Sequence, residues 1–219
     1  MSAALIEQIK ASPLLPEIIQ EGQAALLREH ALRLKFYNDI TPEYKWEFIN
    51  GEVIMHSPAL SRHLMATKRL FRLMDHHCLT QRCGEVHVEK AMTSFPRNDY
   101  EPDISFFGMA KASLITPDTL RFPIPDLIVE VLSPSTEVRD RGIKFADYAA
   151  HGVREYWIVD PLAETVELHR LVGTEYAPAQ RQSDGLLGGD ALPGFQISVR
   201  AIFDDQENLQ ALRQLMGAE

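Results

Sequence analysis

Pro125-Asp126-Leu127-Ile128-Val129-Glu130-Val131-Leu132-Ser133-Pro134-Ser135-Thr136 holds the most apolar run of the chain, broken by one charge. A short β-branched run between turn-forming residues reads as a strand covered on both faces. Glu130 therefore sits where an unpaired carboxylate is costly and must have a partner. Two kinds of partner satisfy it. One is a buried cation of the chain, for which Arg139 and Lys144 are candidates. The other is a hard divalent metal, which a strand carboxylate usually holds for chemistry rather than stability.

Working outward, residues Glu137 to His151 have helical spacing, Gly152 is a left-handed stop, and Glu155-Tyr156-Trp157-Ile158-Val159 is a second strand closed by Asp160-Pro161. Upstream, Ile104-Ser105-Phe106-Phe107 and Val86-His87-Val88 read as strands. Before them, Leu64, Met65, Leu70, Phe71 and Met74 recur at helical spacing, with Ser61 placed to cap. Trp46-Glu47-Phe48-Ile49 and Val53-Ile54-Met55 flank Asn50-Gly51, a hairpin signal. The core order is helix, strand, strand, strand, helix, strand, of α/β class with an α+β, mixed-sheet character.

Residues 1–40 are expected to be an N-terminal helical extension, either an appendage or a contact between copies in a homo-oligomer. Residues 41–203 form the domain, with further short strands at Thr165 to Leu171 and Phe195 to Val199, and 204–219 a C-terminal helix. The 219 residues are 45% hydrophobic and 24% charged, enough for one true core. Lys and Arg number 22 against 31 Asp and Glu, a net charge of −9, so no whole-protein field attracts polyanions and any nucleic-acid contact must be local. The absence of a signal sequence or membrane-length apolar run, with two cysteines, Cys78 and Cys83, predicts a cytoplasmic protein that makes no membrane contact.

Three residues stand out as a constellation. Asp103 follows Pro102 at the start of a strand, Glu130 lies in the next strong strand, and Lys144 lies on the helix after it. Asp103 and Glu130 converging from neighbouring strands, with the main-chain carbonyl of Val131, would give a hard divalent cation its oxygen ligands. Asp140, Lys144 and Tyr148 share one helix face at i, i+4, i+8, which would aim the Lys144 ammonium at an attacking water.

Pro102-Asp103, then Glu130-Val131-Leu132-Ser133-Pro134-Ser135-Thr136, Asp140, Lys144, Tyr148 and Gly152-Val153-Arg154-Glu155-Tyr156-Trp157-Ile158-Val159-Asp160-Pro161 resemble the Uma2 family of restriction-endonuclease-like proteins, within the PD-(D/E)xK nuclease superfamily. The hairpin from Trp46 to Glu52, Ser57-Pro58 with His63, and Leu192-Pro193-Gly194-Phe195 are also similar. The resemblance implies a restriction-endonuclease-like αβββαβ core with an added β-hairpin, and a Mg²⁺-dependent cut in DNA, with Mn²⁺ an alternative ion. Asp103 and Glu130 would be metal ligands and Lys144 catalytic. The superfamily lysine two positions after the glutamate is Leu132 here, and Lys144 is its displaced counterpart.

Competing readings are simpler. Asp103 can satisfy local amides; Lys144 can pair with Asp140 on an exposed helix face; the fold can serve as a non-catalytic module binding DNA or protein. Asp126 lies about 13 Å along the strand from Glu130, at ~3.3 Å per residue, too far to share an ion. Glu47 resembles an acidic residue that completes the site, but it is expected to face outward; His63 either approaches the scissile phosphate or only begins a helix, and the second is expected. His76, His77, Cys78, Cys83 and His87 lack the regular spacing of a zinc site. Arg62, Lys68, Arg69 and Arg72 form a basic segment for phosphates or simply a solvated face. Ser133, Ser135 and Thr136 are expected to cap a helix, having no nucleophile elbow around them.

Overall fold

A computed structural model describes residues 3–41 and 43–217. In chain order they form α1 (Ala3–Lys10), α2 (Leu15–Asp39), β1 (Trp46–Ile49), β2 (Glu52–Met55), α3 (Ser61–Gln81), β3 (Gly84–Val88), β4 (Thr93–Ser94), β5 (Asp99–Tyr100) and β6 (Ile104–Gly108). Then follow α4 (Met109–Ala112), β7 (Leu127–Val131), α5 (Glu137–Asp140), α6 (Ile143–Ala150), β8 (Glu155–Asp160) and β9 (Thr165–Val172). Short strands β10 (Glu175–Tyr176), β11 (Arg181–Gln182), β12 (Leu186–Leu187) and β13 (Ile197–Ser198) precede α7 (Asp205–Leu215).

The main sheet runs β10-β9-β8-β7-β6-β3, with β11 also on β9. Its pairs are antiparallel except β7 with β8, which is parallel. A parallel pair requires a crossover, and α5 with α6 supplies it. All five β7 residues are buried, as their sequence predicts. Leu127, Val129 and Val131 join a core with Leu70, Leu73 and Met74 of α3 and Ala211 of α7. Ile128 and Leu132 join a second core with Tyr148, Ala149 and Tyr156. Glu130 alternates onto this second face.

A smaller sheet, ordered β2-β1-β5-β4, stands beside the first. Its hairpin turn has positive φ at both Asn50 and Gly51, +50° and +84°, the twist that two-residue hairpins favour. Phe48 pairs with Asp99 of β5, which leads within a few residues to Asp103 and β6. The short connection brings the hairpin against the end of the main sheet.

Three expectations are corrected. The helix predicted over residues 137–151 is broken: a Cβ on Gly142 would lie 2.7 Å from the Val138 carbonyl oxygen, and the chain turns there between α5 and α6. Arg141, in the break, bonds Glu167 of β9 through both terminal nitrogens at 3.0 Å, and Glu137 through Nε at 3.0 Å. Ser61 is the first residue of α3 and makes no capping bond. Thr136 likewise does not cap α5 through its side chain; its hydroxyl accepts from the Ser133 amide at 3.3 Å and contacts the Ser133 hydroxyl at 3.0 Å.

The C-terminal half of α2 is fastened to the domain. Arg33 donates to both Asp99 oxygens, at 2.6 and 2.7 Å, and to the carbonyls of Phe95, Pro96 and Asn98. Tyr37 and Ser94 also donate to Asp99, whose side chain is fully buried. Phe36 packs with Phe48 and Met92 beneath this contact. Among the described residues, no helix is long and apolar enough to cross a membrane.

Arg33→Ala leaves the Asp99 carboxylate buried without its cation, and denaturant unfolding is expected to show a loss of about 3–5 kcal/mol. Arg141 and Arg181 hold the Glu167 carboxyl down at about 2, against an ordinary value of 4.5. A depressed carboxyl stabilises the fold above its unfolded pKa, and the effect fades as pH falls through the folded value. The melting temperature of Glu167→Gln is therefore expected to lie below wild type at pH 7 and to converge with it as pH falls from about 4.5 toward 2.

Candidate active site

The β6–β7 register pairs Ile104 with Val129, and one further step puts Asp103 level with Glu130. Both are buried. Asp103 Oδ2 accepts the Val131 amide at 2.8 Å, so its backbone partner is across the sheet rather than local. Asp103 Oδ1 accepts from Lys45 Nζ at 2.9 Å and lies 3.4 Å from His63 Nε2. Glu130 Oε1 accepts from Lys144 Nζ and from the Tyr148 hydroxyl, each at 2.9 Å.

Lys144 is 1% exposed. Its ammonium lies 2.9 Å from Glu47, 2.9 Å from Glu130 and 3.3 Å from Asp140. Glu47 in turn accepts the Glu101 amide at 3.1 Å and meets His56 Nε2 at 2.8 Å. The i, i+4, i+8 line of Asp140, Lys144 and Tyr148 survives the helix break, but it points into the protein. The exposed Lys144–Asp140 pair is thereby excluded.

Burial favours the neutral form of a carboxylate, and it pushes Glu130 up to about 8, with Asp140 and Asp103 adding to the rise and Lys144 and Lys45 opposing it. Burial acts on Glu47 in the same direction, but Lys144 and His56 outweigh it and hold that carboxyl at about 2. At Asp103, Lys45 and His63 overcome burial and keep the carboxyl well below the usual range. Lys144 is raised well above an ordinary lysine because Glu130, Glu47 and Asp140 outweigh its desolvation. Divergent neighbouring carboxylates are a feature of catalytic sites.

Asp103, Glu130, Lys144, Lys45 and His63 all line one cavity of 690 Å³. The sequence-predicted residues Asp103, Glu130 and Lys144 thus come together on the cavity wall, and Val131 meets them through its amide on Asp103. The expectation that Glu47 faces outward is wrong: it is fully buried, because the hairpin lies against the sheet end and turns this face inward. His63 does begin α3, and it also reaches Asp103.

The family model described as "Putative restriction endonuclease", Uma2, matches residues 29–200. The chain belongs to the Uma2 family. No curated protein matches it. A crystal structure whose description reads "a putative nuclease belonging to DUF820 from Anabaena variabilis ATCC 29413" superposes with a TM-score of 0.66 at 20% identity, covering 77% of this chain and 94% of that one. At that identity the likeness shows the fold, a mixed α/β arrangement. The Uma2 match includes Arg33 and the end of α2 that Arg33 fastens.

Two residues of this Uma2 site, Lys45 and His56, were not singled out by motif. Period-two alternation was the available signal: Lys45 and Glu47 share one strand face, and the hairpin puts His56 across from Lys45, whose carbonyl accepts the His56 amide at 3.0 Å. The basic segment of α3 is partly committed elsewhere. Arg69 binds Asp205 and the Phe203 carbonyl, and Arg72 binds the Asn208 side chain, so both fasten the C-terminal helix. In the cysteine–histidine group, Cys83 donates to Cys78 at 3.4 Å, His77 meets the Pro193 carbonyl and His87 meets Glu85.

Lys144→Met leaves Glu47, Glu130 and Asp140 buried without their shared ammonium. Guanidinium unfolding is expected to show a loss of about 3–5 kcal/mol, against the roughly 0.3–0.5 kcal/mol of an exposed i, i+4 pair.

Proposed function

We propose that this Uma2 protein is a divalent-metal-dependent DNA endonuclease, with Asp103 and Glu130 as metal ligands and Lys144 as the catalytic lysine. The observation that carries the reading is the meeting of two buried carboxylates, one just before β6 and one in β7, and a buried lysine on the wall of one open cavity. Among the described residues no three metal-binding side chains converge on one point, and what supports a hard cation is the chemistry of the donors. Five buried carboxylates, Glu47, Glu101, Asp103, Glu130 and Asp140, gather around the lysines Lys45 and Lys144. Oxygen donors of this kind suit Mg²⁺ or Mn²⁺ rather than a soft metal.

Asp103 and Glu130 would hold the ion, with the Val131 carbonyl beside them, since a strand residue presents its amide and carbonyl to the same edge and the Val131 amide is on Asp103. Bound there, the ion supplies Lewis-acid polarisation of the phosphate and lowers the pKa of water. Lys144, fixed by three carboxylates, orients the attacking water and offsets charge developing on the phosphate. Glu47 and Tyr148 position that lysine and Glu130; Lys45 and His63 add positive charge where a phosphate would enter.

Supercoiled-plasmid nicking in Mg²⁺, beside calorimetric metal binding, tests this. Asp103→Asn and Glu130→Gln are expected to lose metal binding and at least about 100-fold in nicking. Glu130→Gln cutting as well as wild type at saturating Mg²⁺ would falsify the mechanism. The net charge of −9 favours a second reading, a non-catalytic module binding DNA or protein; absence of both metal binding and nicking in wild type would select it.

A further inference from the structure

The cavity has two different ends. Around the carboxylates it is charged, but its outer wall is apolar and exposed: Tyr44 is 53% accessible, Met55 56%, Leu60 52% and Leu64 45%. Tyr44 is braced edge-on by Trp46, ring centroids 5.8 Å apart and planes at 80°. Exposed apolar side chains contiguous with a polar site mark a binding surface rather than ordinary exposure.

The charges of this wall do not suit duplex DNA. Glu43 and Glu89 line the cavity, and its two lysines, Lys45 and Lys144, are bonded to carboxylates. Of the basic segment of α3, Arg69 and Arg72 are spent on α7, and neither Arg62 nor Lys68 lines the cavity. A duplex held by its phosphates needs several Lys and Arg contacts and the counterion release they bring. What the wall does offer is an aromatic ring among aliphatic side chains, the chemistry that receives an unpaired base of any identity.

Resting on the nuclease reading above, we propose that the nucleotide next to the scissile phosphate is unpaired and lodges its base against Tyr44, Met55, Leu60 and Leu64, so that the substrate class is single-stranded or locally unpaired DNA. Lys45 and His63, which touch Asp103 and line the same cavity, would meet the adjoining phosphate. A volume of 690 Å³ lies within the range of about 300–1,000 Å³ that takes a compact organic ligand. The base gains its affinity from stacking, and the phosphate is left within reach of the carboxylates.

Fluorescence anisotropy with a labelled 20-mer, single-stranded or annealed to its complement, tests this in Ca²⁺ buffer. The single strand is expected to bind at least about tenfold tighter than the duplex, and Tyr44→Ala to lose about tenfold on the single strand alone, while Tyr44→Phe keeps it. With about two phosphate contacts, single-strand affinity should fall only ~7-fold between 50 and 200 mM salt. Equal or tighter duplex binding, no binding to either oligonucleotide, or an unaffected Tyr44→Ala would overturn the proposal. Tyr44 is exposed, so its substitution does not threaten folding. The two readings fail separately: binding preference with no cutting in Mg²⁺ refutes the nuclease and keeps the base site, whereas cutting of relaxed linear duplex as fast as of single strands refutes the base site and keeps the nuclease.

Discussion

The ammonium of Lys144 is the point on which the rest of the molecule depends. It is buried and shared by Glu47 from the hairpin, Glu130 from the central strand and Asp140 from the turn of the crossover. Each of these charges alone would cost several kcal/mol to bury, of the order found for a desolvated ion in a protein. Together they are compatible only if the small sheet, the main sheet and the crossover helix meet at one place. A buried ion cluster is weak support for stability, but it discriminates among arrangements, since an altered hairpin orientation would leave Lys144 short of a partner and Glu47 without its cation.

Topology explains how that meeting arises. β7 and β8 are the parallel pair of the main sheet, so the chain between them must cross over a face, and the face it covers is the one onto which Glu130 alternates. On the other side of β7 the antiparallel ladder with β6 runs out at Ile104 and Val129. There the Val131 amide has lost its ladder partner and donates to Asp103 instead. Asp103 and Glu130 therefore sit where pairing ends, which is where main-chain groups become available to a ligand.

The strong elements were readable because each carries its own signal: the continuous apolar run of β7, the Asn50-Gly51 turn, the helical spacing of α3 and the left-handed Gly152, whose φ is +82°. The Asp103, Glu130 and Lys144 grouping was readable from strand order and i, i+4 spacing. What could not be read was the joining of that hairpin to β5 and β4 in the small sheet, because β4 and β5 are two residues long and have no periodicity to find. Without β5 there is no way to know that the hairpin folds onto the site, and so Glu47 reads as a solvent-facing strand residue and Lys45 and His56 are passed over. The break at Gly142 was hidden for a different reason: glycine near the start of a helical pattern is tolerated as often as it interrupts, and the close approach to the Val138 carbonyl is a tertiary fact.

The acidic composition takes on a different meaning once the site is in view. A protein with a net charge of −9 cannot draw a duplex across its surface by long-range attraction, and salt at physiological strength confines what local attraction it has to about 8 Å. Under the proposals above, binding would come from contacts made inside the cavity, with charge at the carboxylate end and apolar stacking at the Tyr44 end. A divalent cation offsets part of the carboxylate excess only when it is held there, so affinity for a phosphate and affinity for the ion become linked. Under the proposed metal site, that linkage would make any hold on DNA depend on the bound ion, because Lys144 is already shared by three carboxylates.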